Sequence, residues 1–222
     1  MTELFTTSLL DLSHTIAKPL LEKAQYPWQA LSGIGDFIAD LGKTLGAEYL
    51  HPQETVWIHQ TAKVAPNAFL GERVIIGAMA EIRQGAFIRG NALIGQGAVV
   101  GNSTELKNVV LFDGVQVPHY NYVGDSILGY KAHMGAGAIT SNVKADHSLV
   151  TVRGNETIPT NLKKFGAILG DYAEIGCNAV LNPGTIIGRN SNVYPLSMVR
   201  GVIPPMSIYK KQNEIIKKEP TK

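Results

Sequence analysis

Cysteine is almost absent. Cys177 stands alone among 222 residues, so no internal disulfide can brace the fold, and a reducing compartment, the cytoplasm by default, is expected. The first residues, MTELFTTSLLDLSHTI, lack a basic stretch followed by an apolar run, so no secretory leader is expected. No segment approaches 18 uninterrupted apolar residues, which leaves no candidate membrane-spanning helix. Charge is scarce as well, at 17% of residues against about a quarter in ordinary domains. Lys and Arg number 20 and Asp and Glu 18, a net of +2, too balanced for a protein that grips nucleic acid through its phosphates. Glycine, by contrast, is plentiful: 23 of 222, above the usual ~7%. Many tight corners are implied, within one or two domains that can bury a real core.

A repeat decides the architecture. Ile58, Val64, Leu70, Ile76, Ile82, Ile88, Ile94, Val100 and Leu106 each follow the last by six, and a small or β-branched residue stands two before each, as in Ala80, Ala86 and Ala92. The pattern returns at Leu169, Ile175, Leu181, Ile187, Val193 and Val199. Neither helical periodicity nor strict strand alternation gives six. A short strand plus a corner does, and three such hexads close one triangular coil. The fold class expected is therefore all-β: a parallel β-solenoid whose coils stack ~4.8 Å apart and whose aliphatic columns fill the interior. Glycine often follows the stacked aliphatic (Gly71, Gly77, Gly95, Gly101, Gly170, Gly176, Gly188), where a tight bend or positive φ is expected.

Between the two tracts the step drops to five from Leu106 to Leu111 and from Val123 to Leu128, which predicts one-residue deletions at corners. After Ile139 the pattern lapses, and residues 141–164, with Gly154, Asn155 and Pro159, read as a protruding loop of the functional or interfacial kind. Residues 1–50 form an N-terminal extension, in which 8–25 and 27–46 read as amphipathic helices, the second started by Pro27. They are expected to cap the first coil, because an open strand edge invites aggregation. The solenoid is expected over 51–205. In the tail, 206–222, Lys210 to Lys218 reads as a short helix.

These hexads resemble the left-handed β-helix acyltransferase superfamily. The hand comes from that resemblance, since crossover rules favour the opposite one. Residues 80–142, from AEIRQG through GNSTELK and HYNYVGD to MGAGAITSN, resemble the acetyltransferase domain of bacterial bifunctional glucosamine-1-phosphate acetyltransferase/N-acetylglucosamine-1-phosphate uridyltransferase. The later KKFGAILGDYAEIGCNAVLNPGTIIG is similar to archaeal sugar-1-phosphate nucleotidylyltransferase/acetyltransferases. With only about fifty residues ahead of the solenoid, uridylyl transfer is not expected. The resemblance implies an acetyl-CoA-dependent N-acetyltransferase acting on an amino-sugar phosphate or nucleotide, working as a homotrimer with each site between adjacent solenoids.

The same resemblance assigns roles. His119, in PHYNYVGD, matches the family's catalytic base, and an imidazole suits a proton transfer near pH 7. Arg83 and Lys107 match the sugar-phosphate contacts, for which a guanidinium and an ammonium are well suited. Tyr122 and Asn142 match substrate-binding positions, and Ala136 and the neighbourhood of Cys177 match positions near the thioester and pantetheine of the acyl donor. No activating group for Cys177 is evident, and it reads as a packed thiol. The pattern departs from the family at His133, where an asparagine is expected, at Val143-Lys144-Ala145, and in a loop lysine with no clear match besides Lys144. Two other readings stand beside this one. A zinc hydratase would need converging imidazoles, but His119, His133 and His147 are spaced off the coil repeat, and no metal site is expected. A non-enzymatic scaffold is the other.

Overall fold

A computed structural model describes residues 2–219. The chain winds as a left-handed parallel β-helix of about nine turns. Its triangular section has three inward columns. The first face stacks Val64, Ile82, Val100, Val117, Met134, Ile175 and Val193. The second stacks Leu70, Ile88, Leu106 and Val123, then Thr140, Leu181 and Val199. Ile76, Ile94, Leu111, Leu128, Leu169 and Ile187 form the third. The hexad thus does not lapse at Ile139: Thr140, six after Met134, takes the inward place and is fully buried, its hydroxyl accepting from Gly124 N–H at 2.9 Å.

The expected glycine role needs correction. Positive φ falls three residues after the stacked aliphatic, as at Met79 (φ 56°), Ser103 (φ 53°) and Lys131 (φ 53°), mostly without glycine. The glycines directly after the stack serve close approach instead: a Cβ on Gly101 would lie 1.5 Å from the Pro118 carbonyl oxygen, and one on Gly188 would lie 2.3 Å from Pro205 nitrogen. The five-residue steps are borne out as shortened corners. Ile88 pairs Leu106 at an offset of 18, but Gly90 pairs Lys107 at 17, and Lys107 pairs Gly124 at 17.

Outward residues give each face a different surface. The first is mostly polar: Glu81, Gln116, His133, Glu174 and Asn192. The second carries Phe69, Phe87, Glu105, Tyr122 and Ile139, with Phe69 56% and Phe87 42% exposed. The third is apolar outside as well as inside, and its outward Trp57, Ile75, Leu93, Val110, Ile127 and Ile168 are buried. The N-terminal segment covers them.

That cover corrects two expectations. Residues 8–25 do not form one helix but short turns, Thr6–Leu9, Leu12–His14 and Lys18–Leu21; Pro27–Gly33 is 3-10 and only Ile34–Gly42 is a longer α-helix. The segment lies along the third face rather than over the first coil, burying Leu10, Leu21, Trp28, Ile34 and Ile38 there. The reason is hydrophobic: an apolar prism face needs burial along its whole length. Buried Asp171 ties the segment down, accepting from Asp11 N–H (2.8 Å) and Tyr130 N–H (2.8 Å) and pairing with Arg189. Strands cap the ends. Tyr49–Gln53 pairs antiparallel with Val56–His59, and Glu214–Lys217 pairs antiparallel with Ser207–Lys211, so the expected helix over Lys210 to Lys218 is a hairpin. Pairing the last coil's open edge overrides the helical preference of its lysines and glutamate.

The excursion at 141–164 leaves after Ile139–Thr140 and rejoins at Ala167–Leu169, at the edge between the second and third faces. It contains an antiparallel hairpin, Val150–Arg153 with Thr157–Leu162, in which Val150 and Val152 are fully buried. Among the described residues no helix is long and apolar enough to cross a membrane.

Candidate functional site

Where the edge between the second and third faces is one residue short, Asp125 adopts φ 46° and is 4% exposed. A buried carboxylate needs compensating donors, and three side chains from the two coils that flank its own supply them. Lys107 Nζ reaches its two oxygens at 2.9 and 3.0 Å, Asn108 Nδ2 donates at 3.0 Å, and Asn142 Nδ2 donates from the coil above. Asn108 also donates to the Leu31 carbonyl at 3.1 Å, locking the edge to the N-terminal segment. Tyr122 lies outward on the second face with its hydroxyl turned toward this edge, where a Cβ on Gly124 would meet it at 2.4 Å. Burial pushes the Tyr122 phenol up, the carboxylates of Asp125 and Glu105 add to the rise, and Arg89 and the Asn142 amide offset part of it. Lys107, Tyr122 and Asn142, three of the residues singled out from sequence, are thus brought together.

The opposite edge of the second face carries another three. His119, Ala136 and Cys177 occupy one column in successive coils: Gly137 N–H donates to the His119 carbonyl at 3.0 Å, and Asn178 N–H to the Ala136 carbonyl at 2.8 Å. His119 is exposed, and its imidazole has no hydrogen-bond partner among the described residues. Its backbone is fixed by buried Asn121, whose Oδ1 accepts from His119 N–H at 3.1 Å while Nδ2 donates to the Gly135 and Ala138 carbonyls at 2.8 and 3.0 Å. Ala136 is half-buried, so the column offers little steric bulk. Cys177 is exposed, not packed as expected, because the corner turns its side chain outward.

Arg83 sits two coils before His119 on the same edge, held by Glu81 at 2.9 Å, and this contact keeps the Glu81 carboxyl below the usual glutamate range. It does not meet Lys107. The two lie on different edges of the prism. His133 is outward on the first face, 2.8 Å from Glu174, and His147 is on the exposed loop, so neither approaches His119. Sequence reasoning passed over Asp125 and Asn121. Both stand inside the quoted PHYNYVGD, and the signal available was the pair of five-residue steps flanking it.

Comparison with known proteins follows the solenoid closely. The model of the GMPPB C-terminal domain matches residues 74–216. The chain belongs to the GMPPB C-terminal domain family. The expected resemblance to bifunctional acetyltransferases is borne out within this membership. The Bifunctional protein GlmU of Methanococcus vannielii is 37% identical over 118 residues, which is 53% of this chain and 28% of that protein. A bifunctional sugar-1-phosphate nucleotidylyltransferase/acetyltransferase of Sulfurisphaera tokodaii is 34% identical over 98 residues, 44% of this chain and 24% of that protein. A putative uncharacterized acetyltransferase of Escherichia coli, YaiX, is 31% identical over 116 residues, 52% of this chain and 50% of its own. This GMPPB C-terminal domain family member therefore spans half or less of the curated relatives it matches. Among solved structures, a mutant of AntD, an N-acyltransferase from Bacillus cereus in complex with dTDP and Coenzyme A, is 19% identical with a TM-score of 0.37, covering 78% of this chain and 91% of that one.

Proposed function

We propose that the protein is an acetyl-CoA-dependent N-acetyltransferase whose acceptor is an amino-sugar phosphate, of the glucosamine-1-phosphate kind, or an amino-sugar nucleotide. The observation that carries this reading is the gathering of Lys107, Tyr122 and Asn142, from three coils, around buried Asp125. Asp125 sets the direction of the Lys107 ammonium and the Asn142 amide, and the phenol beside them adds a donor for a sugar hydroxyl or phosphate.

In the proposed reaction the neutral acceptor amine attacks the thioester carbonyl carbon. His119 takes the amine proton as the C–N bond forms, the C–S bond breaks, and CoA leaves as the thiol with that proton returned to sulfur. No acyl-enzyme forms, so Cys177 and Ala136 line the donor's path and supply no nucleophile. His119 and the Asp125 group flank one face from opposite edges. The chain turns a corner at Tyr120 (φ 52°) after His119 and then crosses the second face to Gly124, so an acceptor held at one edge meets the base of a neighbouring protomer more readily than its own. A homotrimer packed through the second face satisfies this, and the exposed Phe69 and Phe87 on that face support it.

Incubation with acetyl-CoA and a panel of amino-sugar phosphates and nucleotides, followed by mass spectrometry, is expected to show one acceptor gaining a single acetyl group. A folded protein that acetylates none of them contradicts the proposal.

A further inference from the structure

A second cluster lies along the same edge, beyond Asn142, where no role has been assigned. A cavity of about 380 Å³ opens between the excursion and the later coils, lined on its charged side by Lys144, Arg153, Arg200 and Asp146. Ser141, the chain neighbour of Asn142, lines it too, as does Asn182. Three cations thus face one carboxylate. Asp146 stands 3.8 Å from Lys144 and answers that charge alone. Arg200 has one long contact, 3.4 Å from Nη2 to Asn182 Oδ1, and the Arg153 guanidinium has no hydrogen-bond or ion-pair partner among the described residues.

The backbone is built to bring the two arginines together. Arg153 ends the first strand of the hairpin, and Arg200 sits on the solenoid next to Gly201 in the chain. Gly201 has φ 87°, and a Cβ there would lie 2.5 Å from the Arg153 carbonyl oxygen and 3.6 Å from its Cβ. The hairpin therefore docks on the one kind of residue that allows it so close. Like charges held side by side raise the free energy of the empty site, and an anion between them reverses that sign. Planar guanidiniums on a rigid hairpin and a rigid coil offer paired N–H donors matched to phosphate oxygens.

We infer that this cavity binds a phosphate group, with Arg153 and Arg200 as its principal ligands and Lys144 at its rim. The inference does not depend on acetyl transfer. A phosphate could come from free phosphate or pyrophosphate, from a sugar phosphate, or from the phosphates of CoA, and the chemistry of recognition is shared.

Isothermal titration of the whole chain with pyrophosphate, glucosamine-1-phosphate, CoA and dephospho-CoA tests it, alongside Arg153→Gln, Arg200→Gln and the double variant. Both arginines are exposed, and unchanged thermal unfolding checks that the variants remain folded. At least one phosphate compound is expected to bind about tenfold or more weaker in each single variant, and in the double variant only what the acyl-transfer site itself binds persists. Arg153→Lys, which keeps charge but loses the fork, is expected to fall between parent and Arg153→Gln. Preference for glucosamine-1-phosphate over pyrophosphate identifies a sugar phosphate as the source, and preference for CoA over dephospho-CoA identifies the 3′-phosphate. Absence of binding to all four compounds, or binding unchanged in the double variant, overturns the inference.

Discussion

Arg83 and Glu81 form a titratable pair whose behaviour is open to direct test. The Arg83 contact is the largest cause holding the Glu81 carboxyl below its ordinary value. For a glutamate lowered in the folded state, the contribution to stability is present above the unfolded pKa and is lost as pH falls through the folded one. In Arg83→Gln, carboxyl NMR should show the Glu81 midpoint rising toward the ordinary glutamate value, and an unmoved midpoint would contradict the pairing. It follows that an anion reaching Arg83 must compete with Glu81. Inside the prism, Ile88 is fully buried in the second column, and Ile88→Ala should cost about 2–5 kcal/mol in denaturant unfolding. A loss well under 1 kcal/mol would mean that the column relaxes into the space. His119, Lys107, Tyr122 and Asn142 were legible in sequence as separate positions, but the carboxylate that joins three of them was not. Asp125 has no motif of its own, and only the shortened corner shows that residues 17 apart are stacked there.

At the scale of elements, the hexad was legible because each inward column repeats a large aliphatic residue every coil. The outward residues carry a second signal, at three times that period. Trp57, Ile75 and Leu93 are 18 apart and face outward, so one face of the prism was marked for cover by the N-terminal segment. The C-terminal hairpin was missed for another reason. Its residues carry helical propensity, and the pairing that overrides it comes from an edge that exists only after the solenoid has formed. Leu93→Asp would place a carboxylate beneath the N-terminal segment, which should release it, lowering stability by at least about 3 kcal/mol and exposing residues before Tyr49 to proteolysis. Unchanged protease resistance would contradict the role given to this face.

In the whole molecule the three faces divide the work: a mostly polar one, an apolar one already covered, and a second face that exposes Phe69 and Phe87 and is flanked by both halves of the proposed site. Light scattering should give three times the chain mass, and Phe69→Glu with Phe87→Glu should shift the protein to monomer with loss of activity. A stable, fully active monomer contradicts an interfacial site. The central claim is that His119 removes the acceptor's proton during direct transfer from acetyl-CoA. Its most direct test is thiol release from acetyl-CoA, measured with and without an amine acceptor, in the parent and in His119→Ala. Release that requires the acceptor, with kcat lowered about 100-fold or more in His119→Ala and CoA affinity little changed, is the predicted result; equal turnover in His119→Ala would contradict it.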